Sequence, residues 1–494
     1  MSGLPQAIYT AGQVGELDRR AMASPGLGNG ELMRRAGRAA FEALRHAWPS
    51  APHIAVLCGP GNNGGDGYVL ATEARAEGLD ASVYFLSDPD QLTGDAAGAW
   101  RRFRDEGGRA CVFEGKIDPG AHVIVDAMLG TGLSRPPEGA IGRAIEAANA
   151  HSAPVLAVDI PSGLFADTGA APGPVIAAQR TVTFIGMKLG LLTGEGPEVA
   201  GEIVFRDLGV PAETYQGVTP ACERLDRRQL AGWLPPRTRT AHKGAFGHVL
   251  VVGGNRGMAG AARMAGEAAL RAGAGLVSVA THPEHAASLN AGRPELMCIG
   301  VNGPEALDPL LDRATVVALG PGLGQDGWAR ALHSRVLAAG LPVVLDADGL
   351  NLLAANADTR DNWVLTPHPG EAARLLGCET REIQADRPRA VADIAARHQA
   401  VVILKGAGTL VAGGDRPLRV CSDGNPGMAS GGMGDVLTGL VAGLAAQGLA
   451  LADAAAAGVL AHALAGDAAA MAGERGLLAG DLLEVLRRQL NPGR

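Results

Sequence analysis

Short apolar runs alternate with longer amphipathic stretches along most of the chain. In the first half the short runs fall at residues 53–58, 82–86, 122–128, 155–159, 181–185 and 202–205. Helical spacing of apolar positions fills several gaps between them, at 68–77, 94–106 and 141–150. A strand-length run followed by a helix-period stretch predicts βαβ units, and so a mostly parallel sheet with helices on both faces. Residues 12–47 read as helices laid against that core. The pattern breaks between 209 and 240, where Pro211, Pro220, Pro235 and Pro236 punctuate a mixed-charge stretch that is expected to link two domains. Alternation restarts with strands at 247–252, 276–280, 316–319, 342–345, 363–365 and 401–404, and closing helices begin at Met433, Ala452 and Asp481. The expected fold is α/β throughout, in halves that are not repeats of each other. Ligands of such sheets sit beyond the carboxyl ends of the strands, which is where chemistry is to be sought.

Composition narrows the class. A length of 494 residues exceeds one ordinary domain, and 72 glycines with 3% aromatic residues mean tight Gly/Ala packing. The net charge of −8 argues against a nucleic-acid or acidic-membrane binder. Six scattered cysteines without a CxxC pair fit reduced thiols and exclude a disulfide framework or zinc site. The N-terminus lacks the order of a signal peptide, so a cytoplasmic protein is expected. The longest weakly apolar stretch, 439–470, is interrupted by Gln447, Asp453, His462 and Asp467, which predicts two buried helices and no membrane span. Only Lys116, Lys188, Lys243 and Lys405 are lysines among 43 basic residues, so a surviving lysine marks a place that needs a compact ammonium.

The sharpest chemical signal is Ser430-Gly431-Gly432-Met433-Gly434-Asp435, a glycine turn opening into an apolar helix. Free backbone N–H groups at a helix start form an anion site, and a carboxylate there repels the anion. Asp435 therefore reads as a base that deprotonates something while phosphoryl transfer occurs onto it, against the plainer reading of a helix cap. In the first half, Gly59, Gly61 and Gly64 satisfy GxGxxG and Asp88 ends the next strand, which keeps an NAD-dependent dehydrogenase open. Asn62, Asn63 and Asp66 argue otherwise, because amides and a carboxylate suit a specific polar ligand or a hard cation. Asp126, with Gly130-Thr131-Gly132-Leu133-Ser134-Arg135-Pro136, and Asp159, in Asp159-Ile160-Pro161-Ser162-Gly163, end two further strands on the same sheet edge.

These three motifs, with Asn62-Asn63-Gly64-Gly65-Asp66-Gly67, resemble the NAD(P)H-hydrate epimerase domain, over residues 1–214. The resemblance implies a Rossmann-like αβα sandwich. It implies binding of the hydrated dinucleotide by Asn62, Asn63, Gly64, Gly65, Asp66, by Gly130 to Pro136 and by Asp159, with K+ held by Asn63, Asp126 and Ser162. Arg34 stands where relatives have an acidic residue. In the second half, Gly253-Gly254-Asn255, Gly320-Pro321-Gly322, Thr366-Pro367-His368-Pro369-Gly370-Glu371, Lys405-Gly406-Ala407-Gly408-Thr409 and the Asp435 turn resemble the ADP-dependent NAD(P)H-hydrate dehydratase, a ribokinase-like αβα domain, over residues 225–494. By that resemblance Ala262, Gly322, His368 and Asp435 contact the hydrate. Lys405, Gly406, Ala407, Gly408, Thr409 and Gly434 contact the nucleotide, with Mg2+ and ADP. The expectation is a fused enzyme, a homo-oligomer, in which Asp435 and Asp159 are the acid–base groups for NADHX and NADPHX. A ribokinase-like vitamin or small-molecule kinase with an N-terminal binding module is the alternative.

Overall fold

The computed structural model describes residues 3–491. The chain divides into two compact units, one ending at Glu223 and the other beginning at Arg224.

The first unit carries a seven-stranded parallel sheet in the order Ala110–Val112, Asp80–Phe85, His53–Cys58, Val123–Ala127, Val155–Val158, Arg180–Phe184, Glu202–Arg206. Central strands flanked by helices on both faces read as unbroken apolar runs, and Ile54, Val56, Val123 and Val125 are fully buried. Strand order reverses direction between His53–Cys58 and Val123–Ala127, which opens a crevice at their carboxyl ends. The helix after the first of these strands begins at Asn62 and runs to Ala76, so the polar motif occupies its first turns instead of a preceding loop. Its glycines permit close approach: a Cβ on Gly64 would sit 2.2 Å from the Gly59 carbonyl, and one on Gly65 2.6 Å from the Met33 sulfur. Two N-terminal helices, Ala11–Met22 and Glu31–Ala47, pack on this core. The first is fixed by a reciprocal cap between Thr10 and Gln13. A short strand, Ala7–Tyr9, pairs with Met187–Lys188 and thereby fixes the backbone that carries Lys188.

The second unit has a parallel sheet in the order Met297–Gly300, Leu276–Thr281, His248–Val252, Val316–Leu319, Val343–Leu345, Trp363–Leu365, Val401–Leu404. Antiparallel Thr409–Ala412 and Leu418–Cys421 extend its edge. Here the order reverses between His248–Val252 and Val316–Leu319. Helix Met433–Ala446 lies against helix Ala259–Ala272 so closely that a Cβ on Gly439 would be 1.9 Å from the Ala265 carbonyl oxygen. Gly439→Ala is therefore expected to destabilise this unit by roughly 1–3 kcal/mol in urea unfolding, although alanine is about 1 kcal/mol the better helix former. An unchanged midpoint would mean the two helices part without cost.

Among the described residues one helix is long and apolar enough to cross a membrane, Leu451–Ala472, and 67% of its apolar window is buried in the fold. Its Asp453 pairs with Arg416 at 2.7 Å and with Arg419 at 3.2 Å. It is a core helix.

Candidate functional site

The crevice of the first unit is a cavity of about 480 Å³. Strand ends supply one wall through Asn62, Asn63, Asp66, Gly130, Thr131, Gly132, Leu133, Ser134, Arg135 and Asp159. The two N-terminal helices supply the other, which is apolar apart from Asp18. Gly64, Gly65 and Pro136 lie outside the lining, the two glycines being spent on packing as above. Asp159 sits at a left-handed φ of 67°, a conformation that short polar side chains tolerate best. Its carboxylate is ion-paired with the ammonium of Lys188, which is fully buried and also donates to Thr183 Oγ1 (2.9 Å) and the Phe184 carbonyl (3.1 Å). Burial, reinforced by Asp159 and Asp18, pushes the Asp66 carboxyl far above the usual carboxylate range.

Beneath this wall Asp126 is completely buried. It accepts from the Ser162 hydroxyl (2.6 Å), the Ser162 amide (2.7 Å) and the Met128 amide (3.2 Å), yet burial still pushes its carboxyl up to about 6. Asn63 donates to the Leu129 carbonyl (2.9 Å), to which Ser162 Oγ also lies close (3.4 Å). Asn63 Oδ1 is buried with no hydrogen-bond partner among the described residues. An orphaned amide oxygen beside an incompletely compensated carboxylate and a hydroxyl is a donor set for a hard cation.

The second unit builds its site from five strand ends. Gly254 N donates to the Pro321 carbonyl (3.0 Å) and Asn255 N to the Gly322 carbonyl (2.7 Å), lacing together the two loops at the reversal point. Gly322 has a left-handed φ of 59° and packs on Met258, while Ala262 is buried in the next helix. Asp346 accepts from Lys405 Nζ at 2.7 Å and from Thr366 Oγ1 at 2.8 Å. Burial alone would raise the Asp346 carboxyl, but Lys405 and these bonds hold it below its ordinary value. Burial likewise opposes charge on Lys405, and Asp346, Glu371 and Asp435 together raise it. His368 caps helix Pro369–Leu376, its Nδ1 accepting from Gly370 N (3.0 Å) while Glu371 accepts from the His368 amide (2.8 Å). The imidazole is left half exposed, its Nε2 3.5 Å from Glu371.

Gly432, at a left-handed φ of 92°, turns the chain into helix Met433–Ala446. A Cβ on Gly434 would lie 3.3 Å from Lys405 Nζ and 3.4 Å from Asp346 Oδ2, so the helix start, the lysine and the acid meet at one point. Asp435 follows in the first turn, and burial, then the neighbouring Asp346, pushes its carboxyl up to about 7 against the pull of Lys405. The Lys405–Thr409 segment splits: the Lys405 side chain turns toward the acids, while Gly406 and Ala407 are exposed and Thr409 Oγ1 closes the turn onto the Gly406 carbonyl (2.9 Å). Asp346, Glu371, Lys188 and Asp18 were not chosen as site residues from sequence. Lys188 and Lys405 were the traceable signal, being the two of the four lysines that are not exposed.

Two α/β units, each gathering carboxylates and a lysine at the carboxyl ends of its strands, define a two-domain small-molecule enzyme. The family model described as NAD(P)H-hydrate dehydratase matches residues 249–488, and that of the YjeF-related protein N-terminus matches residues 29–190. The chain is 48% identical over 486 residues to a bifunctional NAD(P)H-hydrate repair enzyme of Coxiella burnetii, covering 98% of this chain and 99% of that one. Its second half resembles a ribokinase-like superfamily protein of Enterococcus faecalis (29% identity, TM-score 0.51, 54% of this chain and 94% of that one). It also resembles the ADP/ATP-dependent NAD(P)H-hydrate dehydratase of Bacillus subtilis co-crystallized with ATP/Mg2+ (31%, TM-score 0.50, 53% and 96%). The chain belongs to the family of bifunctional NAD(P)H-hydrate repair enzymes.

Proposed function

We propose that the second unit dehydrates the S hydrate of NADH or NADPH with ADP as phosphoryl donor, and that the first unit interconverts the R and S hydrates. Family membership makes the chain a bifunctional NAD(P)H-hydrate epimerase and dehydratase. The observation that carries the dehydration chemistry is the Asp435 carboxyl, tuned to about 7 at the start of a helix and beside Lys405. A base poised near neutrality removes the C6 hydroxyl proton as that oxygen attacks the terminal phosphate. Helix-start amides around Gly432 and Gly434 and the Lys405 ammonium stabilise the charge on the transferring group. The phosphorylated oxygen then leaves as inorganic phosphate, the C5 proton is lost and the ring double bond re-forms, giving NAD(P)H and AMP. Ala262, Gly322 and His368 line the hydrate side, and Gly406, Ala407, Gly408 and Thr409 the nucleotide side. Mg2+ brought in with the nucleotide would add positive charge to that which Lys405 and the helix start supply to the transferring group.

In the first unit Asn62, Asp66, the 130–136 loop and Asp159 hold the hydrated dinucleotide. K+ fits the Asn63, Asp126 and Ser162 oxygens, where it would supply fixed positive charge to an otherwise underpaired acid. Unpaired cysteines, with Cys58, Cys222 and Cys421 buried, support work in the reducing cytoplasm. The test uses a purified mixture of R and S hydrates of NADH. Absorbance of the reduced nicotinamide should return completely with ADP, Mg2+ and K+, and only for the S fraction once K+ is replaced by choline. No recovery with ADP, together with phosphorylation of a vitamin from ATP, would overturn the reading.

A further inference from the structure

We infer that Asp18 is a second acid–base residue of the epimerase site, serving the face of the nicotinamide ring opposite to Asp159. This rests on the epimerase reading of the first unit. The cavity has two unlike walls, and Asp159 projects from the strand-end wall. The wall built by helices Ala11–Met22 and Glu31–Ala47 presents Val14, Met22, Leu32, Met33 and Ala36, with Asp18 as its one ionisable side chain. A carboxylate on an apolar wall needs a reason. Asp126 is tied down by Ser162 and by the Met128 amide, whereas no side chain among the described residues hydrogen-bonds Asp18.

Epimerisation at C6 calls for two such groups. C6 bears both the hydroxyl and a bond to the ring nitrogen, so its configuration inverts when the C–O bond breaks and re-forms on the other face. Asp18, protonated, gives its proton to the departing hydroxyl, which leaves as water while the nitrogen lone pair forms the C6–N1 double bond. Water adds to C6 from the far face, its surplus proton passes to Asp159 and the lone pair returns to nitrogen. Asp18 is left ionised and Asp159 protonated, and the reverse turnover or exchange with solvent resets them. Atoms and charge balance, and no co-reactant is needed.

The surroundings match these roles. Burial holds Asp18 up at about 6, with Asp159 raising it and Lys188 lowering it. Asp66 and Tyr215 are the other titratable groups within its field. Lys188 keeps Asp159 supplied with positive charge. Asp18 is thus the group that can hold a proton near neutrality on its side of the ring.

The experiment follows interconversion of the separated R hydrate into S in the full-length protein with K+ present, across pH. Asp18→Asn keeps the shape of the side chain. It is expected to lower kcat for interconversion by roughly 10²–10⁴-fold, with little change in KM, and to abolish the fall in rate expected of the native protein above about pH 6. Asp18→Glu should recover part of the rate and the alkaline limb. A native rate in Asp18→Asn, or a slowed variant that keeps the alkaline limb, would refute the role of Asp18. Native protein that fails to interconvert R and S at all would instead refute the epimerase reading on which it rests.

Discussion

Asp435→Asn is expected to lower the rate of ADP-dependent dehydration by roughly 10²–10⁴-fold, the range for loss of a positioned general base. The substitution keeps the shape of the helix start, so affinity for ADP should change little or rise, because an anionic neighbour of the phosphates has been removed. The pH profile is the stronger discriminator. With its carboxyl pushed up to about 7 by burial and by Asp346, native Asp435 is protonated in acid and cannot accept the hydroxyl proton. The native rate should therefore rise through pH 7 and level off above it. Lys405, whose ammonium is stabilised by three carboxylates, stays charged over the same range and contributes no limb of its own. In Asp435→Asn the residual rate should be flat there. A variant that keeps the acid limb would move the base elsewhere.

That assignment was legible in sequence because a glycine turn, a helix start and an acid lie within a few consecutive residues. Strands were legible for a similar reason: residues 53–58, 316–319, 363–365 and 401–404 form strands at those positions, and the other apolar runs shift by one or two residues. Local signals carry local facts. The Asn62 motif misled in one respect, since glycine-rich stretches are read as loops, whereas here the glycines admit the backbone of Gly59 and the side chain of Met33 against a helix. The strands Met297–Gly300, Thr409–Ala412 and Leu418–Cys421 were missed because each is only four residues long, too short for its alternation to stand out from the surrounding loops. Asp346 and Lys405 illustrate the limit for sites. Fifty-nine positions separate them, and only the parallel register of their strands brings Nζ within 2.7 Å of Oδ1. Asp18 is the extreme case, an acid on an ordinary amphipathic helix whose meaning comes entirely from the cavity it faces.

Asp159→Ala should do two things at once, and separating them decides what the residue is for. Catalytically, epimer interconversion should fall by roughly 10²–10⁴-fold, leaving only the S fraction of a mixed hydrate to be consumed. Structurally, the change strands the Lys188 ammonium, which has no exposed surface and, among the described residues, retains only Thr183 Oγ1 and the Phe184 carbonyl as acceptors. Removing one partner of a buried ion pair costs about 3–5 kcal/mol, and alanine is also a poor occupant of a φ of 67°. The thermal transition of the first unit should drop accordingly in calorimetry. Asp159→Asn breaks the link between the two effects. Asparagine tolerates the left-handed backbone, and its amide oxygen still accepts from Lys188, so most of the stability should return. The amide cannot take a proton from water, so epimerisation should stay lost. If Asp159→Asn epimerises at the native rate, Asp159 serves only to seat Lys188, and the proton chemistry belongs to the opposite wall alone. If both variants are slow but only the alanine form is unstable, the ion pair holds the site together and the carboxylate performs the chemistry within it.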